Sequence, residues 1–312
     1  MTVSHPEKPV NLDDARIISI SQVDSWLTCE RKWLFNYGFL KQSKTPSRSL
    51  SLGVLVHDLL AEFYQSIKNG LSVADARQEA MGYLTKLYLE GSYSVDVFST
   101  AQILVSRYIE QDTLATGTKI MAVEEPFFIP INNDYWYGGK IDLLVEALQG
   151  RKKGQVLLID HKTTYDFYTD SALKLNPQMP KYAAAVRFNG YPVDEAYLNQ
   201  IRTRFSLTQI PKKDDSDLFK RAPTELTQAK IRSALNHQMV ASERIIEAYK
   251  KPLSLLEQEC LPVRNNMICK NCPFQDPCIA MEEGMPAVKA LGANYVEKTS
   301  GFQLEAKATE NG

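Results

Sequence analysis

The stretch that decides the fold runs from residue 138 to residue 164, GGKIDLLVEALQGRKKGQVLLIDHKTT. It predicts two strands joined by a polar loop, QGRKKG over residues 149–154, in which glycine stands near each end. Apolar residues surround Asp142 in the first strand. The second strand begins with VLLI over residues 156–159, the short apolar run that is typical of a buried central strand.

Charged residues stand where the second strand ends, in Asp160-His161-Lys162. Burying an unpaired carboxylate is costly, so Asp142 and Asp160 need a cation or hydrogen-bond donors close by. Two carboxylates on neighbouring strands suit Mg²⁺, which prefers oxygen ligands. Because side chains alternate along a strand, Lys162 shares a face with Asp160, where its ammonium would lie beside an activated water and a phosphate. The combination predicts metal-dependent phosphodiester hydrolysis.

Asp142 followed by Asp160-His161-Lys162 resembles the D…(D/E)-x-K signature of the PD-(D/E)XK nuclease superfamily. The resemblance implies an α/β fold of the restriction-endonuclease-like kind, with a mixed central β-sheet flanked by helices. It also implies that Asp142, Asp160 and the backbone carbonyl of His161 bind Mg²⁺ or Mn²⁺. Lys162 would then position or activate the water.

An earlier helix carries His57 four residues after Gly53. A lone histidine on a helix is usually a structural residue. However, G-x-x-x-H ahead of the D…D-x-K strands resembles an added motif of the RecB-like branch of these nucleases. The resemblance implies that the His57 imidazole is a further metal ligand, which suits Mn²⁺ better than an all-oxygen site would.

Two other patterns also resemble the RecB-like branch. Its members carry a glutamate on the strand before the D…D-x-K strands, which favours Glu124 as a residue that supports catalysis. Since consecutive strand residues face opposite ways, Glu125 would be a solvated surface acid. Gln178 and Tyr182 have the Q-x-x-x-Y spacing, which implies that the amide and the aromatic ring hold DNA. The alternative is a glutamine at a helix start and a tyrosine in the core.

The sequence has five cysteines, three of them within residues 269–278. In a reducing compartment this crowding indicates a metal rather than disulfides. Cys269, Cys272 and Cys278 supply three thiolates, and the fourth would have to be Cys29 or Cys260, the remaining cysteines. Four thiolates suit zinc, and they also suit an iron–sulfur cluster.

One cysteine in an N-terminal helix, with C-x₂-C-x₅-C near the C-terminus, resembles the iron–sulfur RecB-like exonucleases. These are the CRISPR-associated exonuclease family, the AddB nuclease domain and the exonuclease V type. The resemblance spans about residues 18–282. It implies a structural [4Fe–4S] cluster that ties the N- and C-terminal parts together and leaves Cys260 as a structural residue. The implied ligands are Cys29, Cys269, Cys272 and Cys278.

Composition sets few limits on function. A net charge of −1, with 44% hydrophobic and 23% charged residues, is typical of a globular protein. It does not exclude DNA binding, because a catalytic groove needs only local positive charge. No apolar run approaches the ~20 residues of a membrane span, and no apolar signal segment is visible. We therefore expect a cytoplasmic protein with no membrane partner.

The chain is predicted to form one nuclease domain over residues 18–285. A flexible N-terminus would cover residues 1–17, and a polar, disordered tail residues 286–312. Within the domain, a helical insertion covers about residues 72–115 and the iron–sulfur loop covers residues 260–280.

Three further elements are predicted from local patterns. Ser21 would cap a helix that ends at about Phe39. A strand over Glu195–Phe205 would carry Arg202 and Arg204 on one face, and residues 206–223 would form a loop.

The resemblance implies a DNA nuclease, most specifically an exonuclease that digests single-stranded DNA in the 5′ to 3′ direction during repair, recombination or phage- or CRISPR-related processing. The sequence contains no G-x-x-x-x-G-K-[ST] loop, so unwinding would need a separate helicase or a CRISPR or recombination protein as partner. The alternatives are an endonuclease that needs no end and a non-catalytic DNA-binding subunit of a helicase–nuclease complex. An intact set of His57, Asp142, Asp160 and Lys162 argues against the non-catalytic subunit.

Overall fold

The structure is a computed structural model that describes residues 16–292 and 294–298. Its helices are α1 (Ile20–Thr28), α2 (Glu30–Trp33), α3 (Arg48–Lys68), α4 (Val73–Leu89), α5 (Val95–Gln111), α6 (Leu114–Gly117), α7 (Asp170–Leu175), α8 (Gln178–Phe188), α9 (Asp215–Leu218), α10 (Gln228–Tyr249), α11 (Leu253–Glu259), α12 (Asn266–Cys269), α13 (Gln275–Glu282) and α14 (Ala287–Leu291). Its strands are β1 (Arg16–Ser19), β2 (Lys41–Ser43), β3 (Thr118–Pro130), β4 (Tyr135–Ala147), β5 (Val156–Thr164), β6 (Val193–Arg202), β7 (Phe219–Thr224) and β8 (Tyr295–Glu297).

The described residues divide into two compact units. Unit 1 contains Ser47–Phe128 and Lys140–Asn236. Unit 2 contains residues 16–46, Ile129–Gly139 and the described residues after 236. Each unit buries a hydrophobic core of its own, which is the physical reason for the division.

The sheet of unit 1 is built around β5. This strand pairs antiparallel with β4, with Leu143 opposite Ile159, and parallel with β6, with Asp160 opposite Leu198. β7 pairs antiparallel with β6, and β3 pairs with β4. With helices packed against it, this mixed sheet confirms the predicted α/β class and the central place of the opening stretch.

A glycine brings helix α3 close to β5. A Cβ atom on Gly53 would lie 3.0 Å from the Thr163 hydroxyl oxygen, so a larger residue would push the two elements apart. His57 lies one helical turn further along the same face. α4 and α5 pack on α3, which confirms the helices expected over residues 72–115.

In unit 2, β1 pairs in parallel with the start of β4, and Ser19 caps α1 by accepting from the Gln22 amide. The single helix predicted over Ser21–Phe39 is wrong. Cys29 is extended, with φ −167° and ψ 113°, and a π-helix over Leu34–Gly38 follows α2. These breaks let Trp33 and Phe35, both fully buried, pack into different clusters.

Three expectations on loose segments need correction. Residues 16 and 17 lie in β1 instead of a flexible N-terminus, and residues 1–15 lie outside the described residues. The tail is ordered through residue 298 except at residue 293, which is not described; Ala287 and Leu291 are buried, and β8 pairs antiparallel with β2. Residues 299–312 lie outside the described residues. The loop predicted over residues 206–223 contains most of β7, in which Phe219 and Ala222 are buried.

Candidate active site

Three side chains from different elements of unit 1 meet as a group of potential metal ligands. They are His57 on α3, Glu124 on β3 and Asp142 on β4, and one ligand atom of each lies within 4.8 Å of the others. The His57 Nδ1 atom is 3.4 Å from Asp142 Oδ2. All three residues are half-buried, so they are sheltered from bulk water but accessible to an ion.

Glu124 reaches this group through an unusual backbone conformation. Its φ is +48°, in the left-handed region, although it belongs to a strand. A non-glycine residue there costs of order 1–3 kcal/mol, and such strain concentrates at functional sites. Ala122 and Val123 are both buried, so the alternation of buried and exposed side chains along β3 is interrupted just before Glu124. Within the described chain, the group includes Glu124 but not Glu125, as the sequence favoured.

Asp142 is held by the neighbouring strand. Its Oδ2 accepts a hydrogen bond of 2.7 Å from the backbone amide of His161. Burial raises the pKa of Asp142, and the Glu124 carboxylate raises it further, whereas His57 and Lys162 favour the charged form. The backbone amide of His161 on β5 therefore positions the Asp142 carboxylate without neutralising its charge.

Asp160 is the most constrained carboxylate of the site. Only 2% of the residue is exposed, and its Oδ1 accepts a 3.0 Å hydrogen bond from Gln178 Nε2. Its buried Oδ2 has no hydrogen-bond partner among the described residues. Burial raises the pKa of Asp160 well above its usual value, and the Asp142 carboxylate adds to this effect. A cation is what such a carboxylate lacks.

Lys162 is the cation nearest in sequence to this carboxylate. It lies two residues after Asp160 on β5 and therefore on the same face of the sheet. Its charge lowers the pKa of both Asp160 and Asp142. Lys162 is half-buried, so its ammonium can meet a bound anion at the surface of the site.

Gln178 and Tyr182 lie in the first half of α8, within unit 1. Pro180 falls in the first turn, so Gln178 stands at the helix start as expected. Gln178 Nε2 lies 3.0 Å from Asp160 Oδ1 and 3.3 Å from the Tyr182 hydroxyl. The Tyr182 ring is buried edge-on against Phe127. This burial matches the alternative of a tyrosine in the core, and a role of Gln178 and Tyr182 in holding DNA stays a prediction.

A buried polar network behind β5 was missed by the sequence analysis. The His161 side chain faces away from Asp160, and its Nδ1 lies 2.8 Å from Asn199 Nδ2. Asn199 also donates to the Tyr108 hydroxyl at 2.9 Å, and the Tyr64 ring stacks on the imidazole. Asp112 anchors the far end of the network, accepting from Tyr64 at 2.7 Å.

This network had no signal in the sequence, because its members come from α3, α5, β5 and β6 and share no spacing. Lys140 was also missed. Its Nζ lies 2.9 Å from Glu124 Oε2, so the strained glutamate has a cation beside it. A lysine two residues before Asp142 could have been noted as facing the same side of β4.

The four cysteines that the sequence predicts as cluster ligands all lie in unit 2. Cys29 lies at the extended link between α1 and α2, and Cys269, Cys272 and Cys278 lie on or between α12 and α13. All four are half-buried and free of disulfides. Burial raises the pKa of Cys272 and Cys278, and Cys29 raises both further, so the helix link and the C-terminal loop bring their thiols near one another.

Cys260 belongs to a different environment. Only 2% of it is exposed, and it packs in the core of unit 2. Burial raises the pKa of its thiol to about 11, so it is neutral at physiological pH. Its backbone carbonyl accepts a 2.7 Å hydrogen bond from Arg31 Nε.

Comparison with known protein families identifies the chain. The model of the PD-(D/E)XK nuclease superfamily matches residues 17–279. The chain belongs to the PD-(D/E)XK nuclease superfamily. Nucleases of this superfamily use divalent metals, and the group of His57, Glu124 and Asp142 beside Asp160 and Lys162 is where this member can hold one.

Other comparisons add little to the assignment to this nuclease superfamily. The crystal structure of SSO0001 aligns with 87% of this chain and 89% of its own at 13% identity and a TM-score of 0.38, which supports no functional conclusion. The curated proteins contain no match. Among the described residues, no helix is both long and apolar enough to cross a membrane.

The donor set of the site fits a hard divalent ion. Carboxylate oxygens are the ligands that Mg²⁺ prefers, and the imidazole of His57 adds the nitrogen ligand that Mn²⁺ accepts. The partnerless Oδ2 of Asp160 is the buried polar atom that such an ion would satisfy. The residues present therefore fit the metal that the superfamily uses.

Proposed function

We propose that this protein is a metal-dependent exonuclease that hydrolyses single-stranded DNA from an end, with 5′ to 3′ digestion favoured. The observation that carries the nuclease chemistry is the group of His57, Glu124 and Asp142 beside the buried Asp160 carboxylate. Three negative side chains and an imidazole in one sheltered place have no structural use that their energetic cost would justify.

Four side chains and one backbone group would hold the catalytic ion: His57, Glu124, Asp142, Asp160 and the carbonyl of His161. When bound, Mg²⁺ or Mn²⁺ supplies an acidified water and neutralises charge on the phosphate. Gln178 holds Asp160 in place through its 3.0 Å hydrogen bond. The His161 amide does the same for Asp142 at 2.7 Å, so both carboxylates are oriented before substrate arrives.

Lys162 performs the part of the reaction that the carboxylates cannot. Its ammonium, on the face of Asp160, orients the attacking water and stabilises negative charge that develops on the phosphate. The neighbouring carboxylates keep this cation close to the reacting atoms, since its charge interacts with both.

Two features of the sequence support a preference for single strands. The cysteine spacing resembles that of exonucleases which act on single-stranded DNA ends, and the sequence has no nucleotide-binding loop with which to open a duplex. A separate helicase or a recombination or CRISPR protein would supply unpaired ends.

The cysteines of unit 2 hold a [4Fe–4S] cluster with a structural role. Cys29, Cys269, Cys272 and Cys278 are free, half-buried and close enough for Cys29 to raise the pKa of two of the others. Four thiolates are the usual ligands of such a cluster. Holding it would join the N-terminal helices to the C-terminal loop of the same unit.

The experiment compares linear with covalently closed circular single-stranded DNA of the same sequence, with Mg²⁺ or Mn²⁺. We expect rapid digestion of the linear form and little of the circle. Equal rates on both would show that no end is needed and would make the protein an endonuclease. No cleavage of either, in protein that still binds DNA, would leave a non-catalytic binding subunit.

A further inference from the structure

The ends of two parallel strands carry aromatic and basic residues beside the catalytic lysine. β5 and β6 run in parallel, with Lys162 opposite Gln200 and Thr164 opposite Arg202. Their carboxyl ends therefore meet at one edge of the sheet. The chain leaves β5 through Tyr165 and leaves β6 through Arg204, so both exits lie at that edge.

Strand register places Arg202 on the catalytic face. Residues paired across adjacent strands face the same side, and side chains two apart along a strand share that side. Asp160, Lys162 and Thr164 thus share a face with their partners on β6, of which Arg202 is the last. A substrate strand that leaves Lys162 towards this edge meets Arg202 and then the loops beyond it.

Cations and aromatic rings alternate in these loops. The Arg202 guanidinium carbon lies 4.0 Å from the Phe167 ring centroid and 5.9 Å from that of Phe205. Lys213 Nζ lies 4.5 Å from the Phe205 centroid. Asp166 fixes the arrangement, since its Oδ1 is 3.5 Å from Arg202 Nε and 3.3 Å from Arg204 Nη1. These contacts between cations, rings and Asp166 are therefore in place without a ligand.

Tyr165 adds a solvent-exposed aromatic ring beside these cations and rings. The residue is 69% exposed, which is unusual for a large aromatic side chain, and the Arg204 side chain is 53% exposed. Tyr165 is three residues from Lys162, or about 10 Å of extended chain. Exposed rings with cations between them are what unpaired bases and their phosphates bind in proteins that recognise single strands.

We propose that Tyr165, Phe167, Arg202, Arg204, Phe205 and Lys213 form a platform that binds the single strand of DNA next to the scissile phosphate. Bases stack on Tyr165 and on the rings held by Arg202, and phosphates meet Arg204 and Lys213. The platform deepens the proposed function and rests on it.

The test measures binding separately from cleavage. Fluorescence anisotropy with a labelled dT oligonucleotide of about 20 nucleotides in EDTA gives a Kd without hydrolysis. We expect Tyr165→Ala and Arg204→Ala each to weaken binding about tenfold. Tyr165→Phe should bind like the wild type, because it keeps the ring. The matched controls are Tyr88→Ala, an exposed tyrosine on α4, and Arg77→Ala, whose partner is Glu110; both should leave Kd unchanged.

The outcomes separate the platform from the proposed reaction. The platform would be overturned if the wild type does not bind the oligonucleotide, even if DNA is cleaved. It would also be overturned if the Kd of Tyr165→Ala and of Arg204→Ala stays within about twofold of wild type. Binding that is lost in Tyr165→Ala, with no cleavage by the wild type in Mn²⁺, would support the platform and contradict the exonuclease. Hydrolysis of bis(p-nitrophenyl) phosphate should be unaffected by Tyr165→Ala, because this small diester cannot reach the ring.

Discussion

Unit 1 contains a candidate metal site of His57, Glu124, Asp142 and Asp160, and unit 2 contains four cysteines proposed to hold a cluster, but the two sets are built in different ways. The site of unit 1 stands on a long helix and neighbouring strands. It includes a Glu124 with left-handed backbone and an Asp160 oxygen with no partner among the described residues. The cysteines stand on short helices and an extended link, and each is half-buried.

This difference is the one expected if unit 1 holds a catalytic centre and unit 2 holds a structural cluster. Strain and unsatisfied charge lower stability, and they persist where rigid elements enforce them for a chemical purpose. The cysteine group shows neither feature, and a cluster held by it would join segments that are distant in sequence. We therefore expect that replacing a metal-ligand residue of unit 1 removes activity while the protein stays folded. Replacing a cluster cysteine of unit 2 should instead lower stability, because the proposed cross-link is lost.

The largest expected effect lies in unit 1. Asp160→Asn and Lys162→Met should each lower the rate of DNA cleavage by about 10²–10³ or more, because each removes a charge that acts on the reacting groups. Cleavage of labelled single-stranded DNA measures the rate, and circular dichroism checks the fold. Lys153→Ala, an exposed lysine of the preceding loop, is the matched control and should retain full activity. Wild-type rates in either site variant would contradict the assignment.

Residues 138–164 were enough to predict the central strands of the sheet, because a buried apolar strand that ends in charged residues is typical of a functional site. β4 and β5 contain the two strands that this stretch predicts, and His57, Glu124 and Asp142 from separate motifs meet in one place. The sequence could not reveal the positive φ of Glu124, since that conformation comes from tertiary packing. For the same reason it did not show that Tyr182 is buried or that Asn199 supports His161.

The next effect lies in unit 2. Anaerobically prepared protein should be brown and contain about four irons per chain. Cys29→Ser should lose colour and iron and should lower the melting temperature, because the cross-link within the unit is gone. Cys260→Ser is the matched control, since this buried thiol lies in the core, and it should keep the colour. Stoichiometric zinc without iron would contradict the cluster.

A smaller effect is the pH dependence of stability without divalent metal. Burial raises the pKa of Asp160 and of Asp142, so the folded state holds protons that the unfolded state releases. This contribution to stability is fully present below the ordinary carboxyl pKa of about 4 and is lost as pH rises towards the raised values. In EDTA, the melting temperature of wild type should fall with pH more steeply than that of Asp160→Asn. Parallel curves would contradict the burial of an uncompensated carboxylate.

The smallest effect tests the strain at Glu124. Glycine adopts a φ of +48° without penalty, so Glu124→Gly should raise the free energy of unfolding by about 1 kcal/mol in metal-free protein. The same variant should bind Mn²⁺ more weakly because a ligand is lost. Chemical denaturation in EDTA measures the first effect. Glu125→Gly is the control and should lower stability, since that neighbour has no left-handed backbone to relieve.

The proposed metal centre is tested most directly by a calorimetric titration of the purified protein with Mn²⁺, for wild type and for Asp142→Asn. We predict that wild type binds Mn²⁺ at the group of His57, Glu124, Asp142 and Asp160, that Asp142→Asn loses this binding, and that both keep the same iron content. Equal Mn²⁺ binding by the two proteins would contradict the claim that His57, Glu124, Asp142 and Asp160 form the catalytic metal centre.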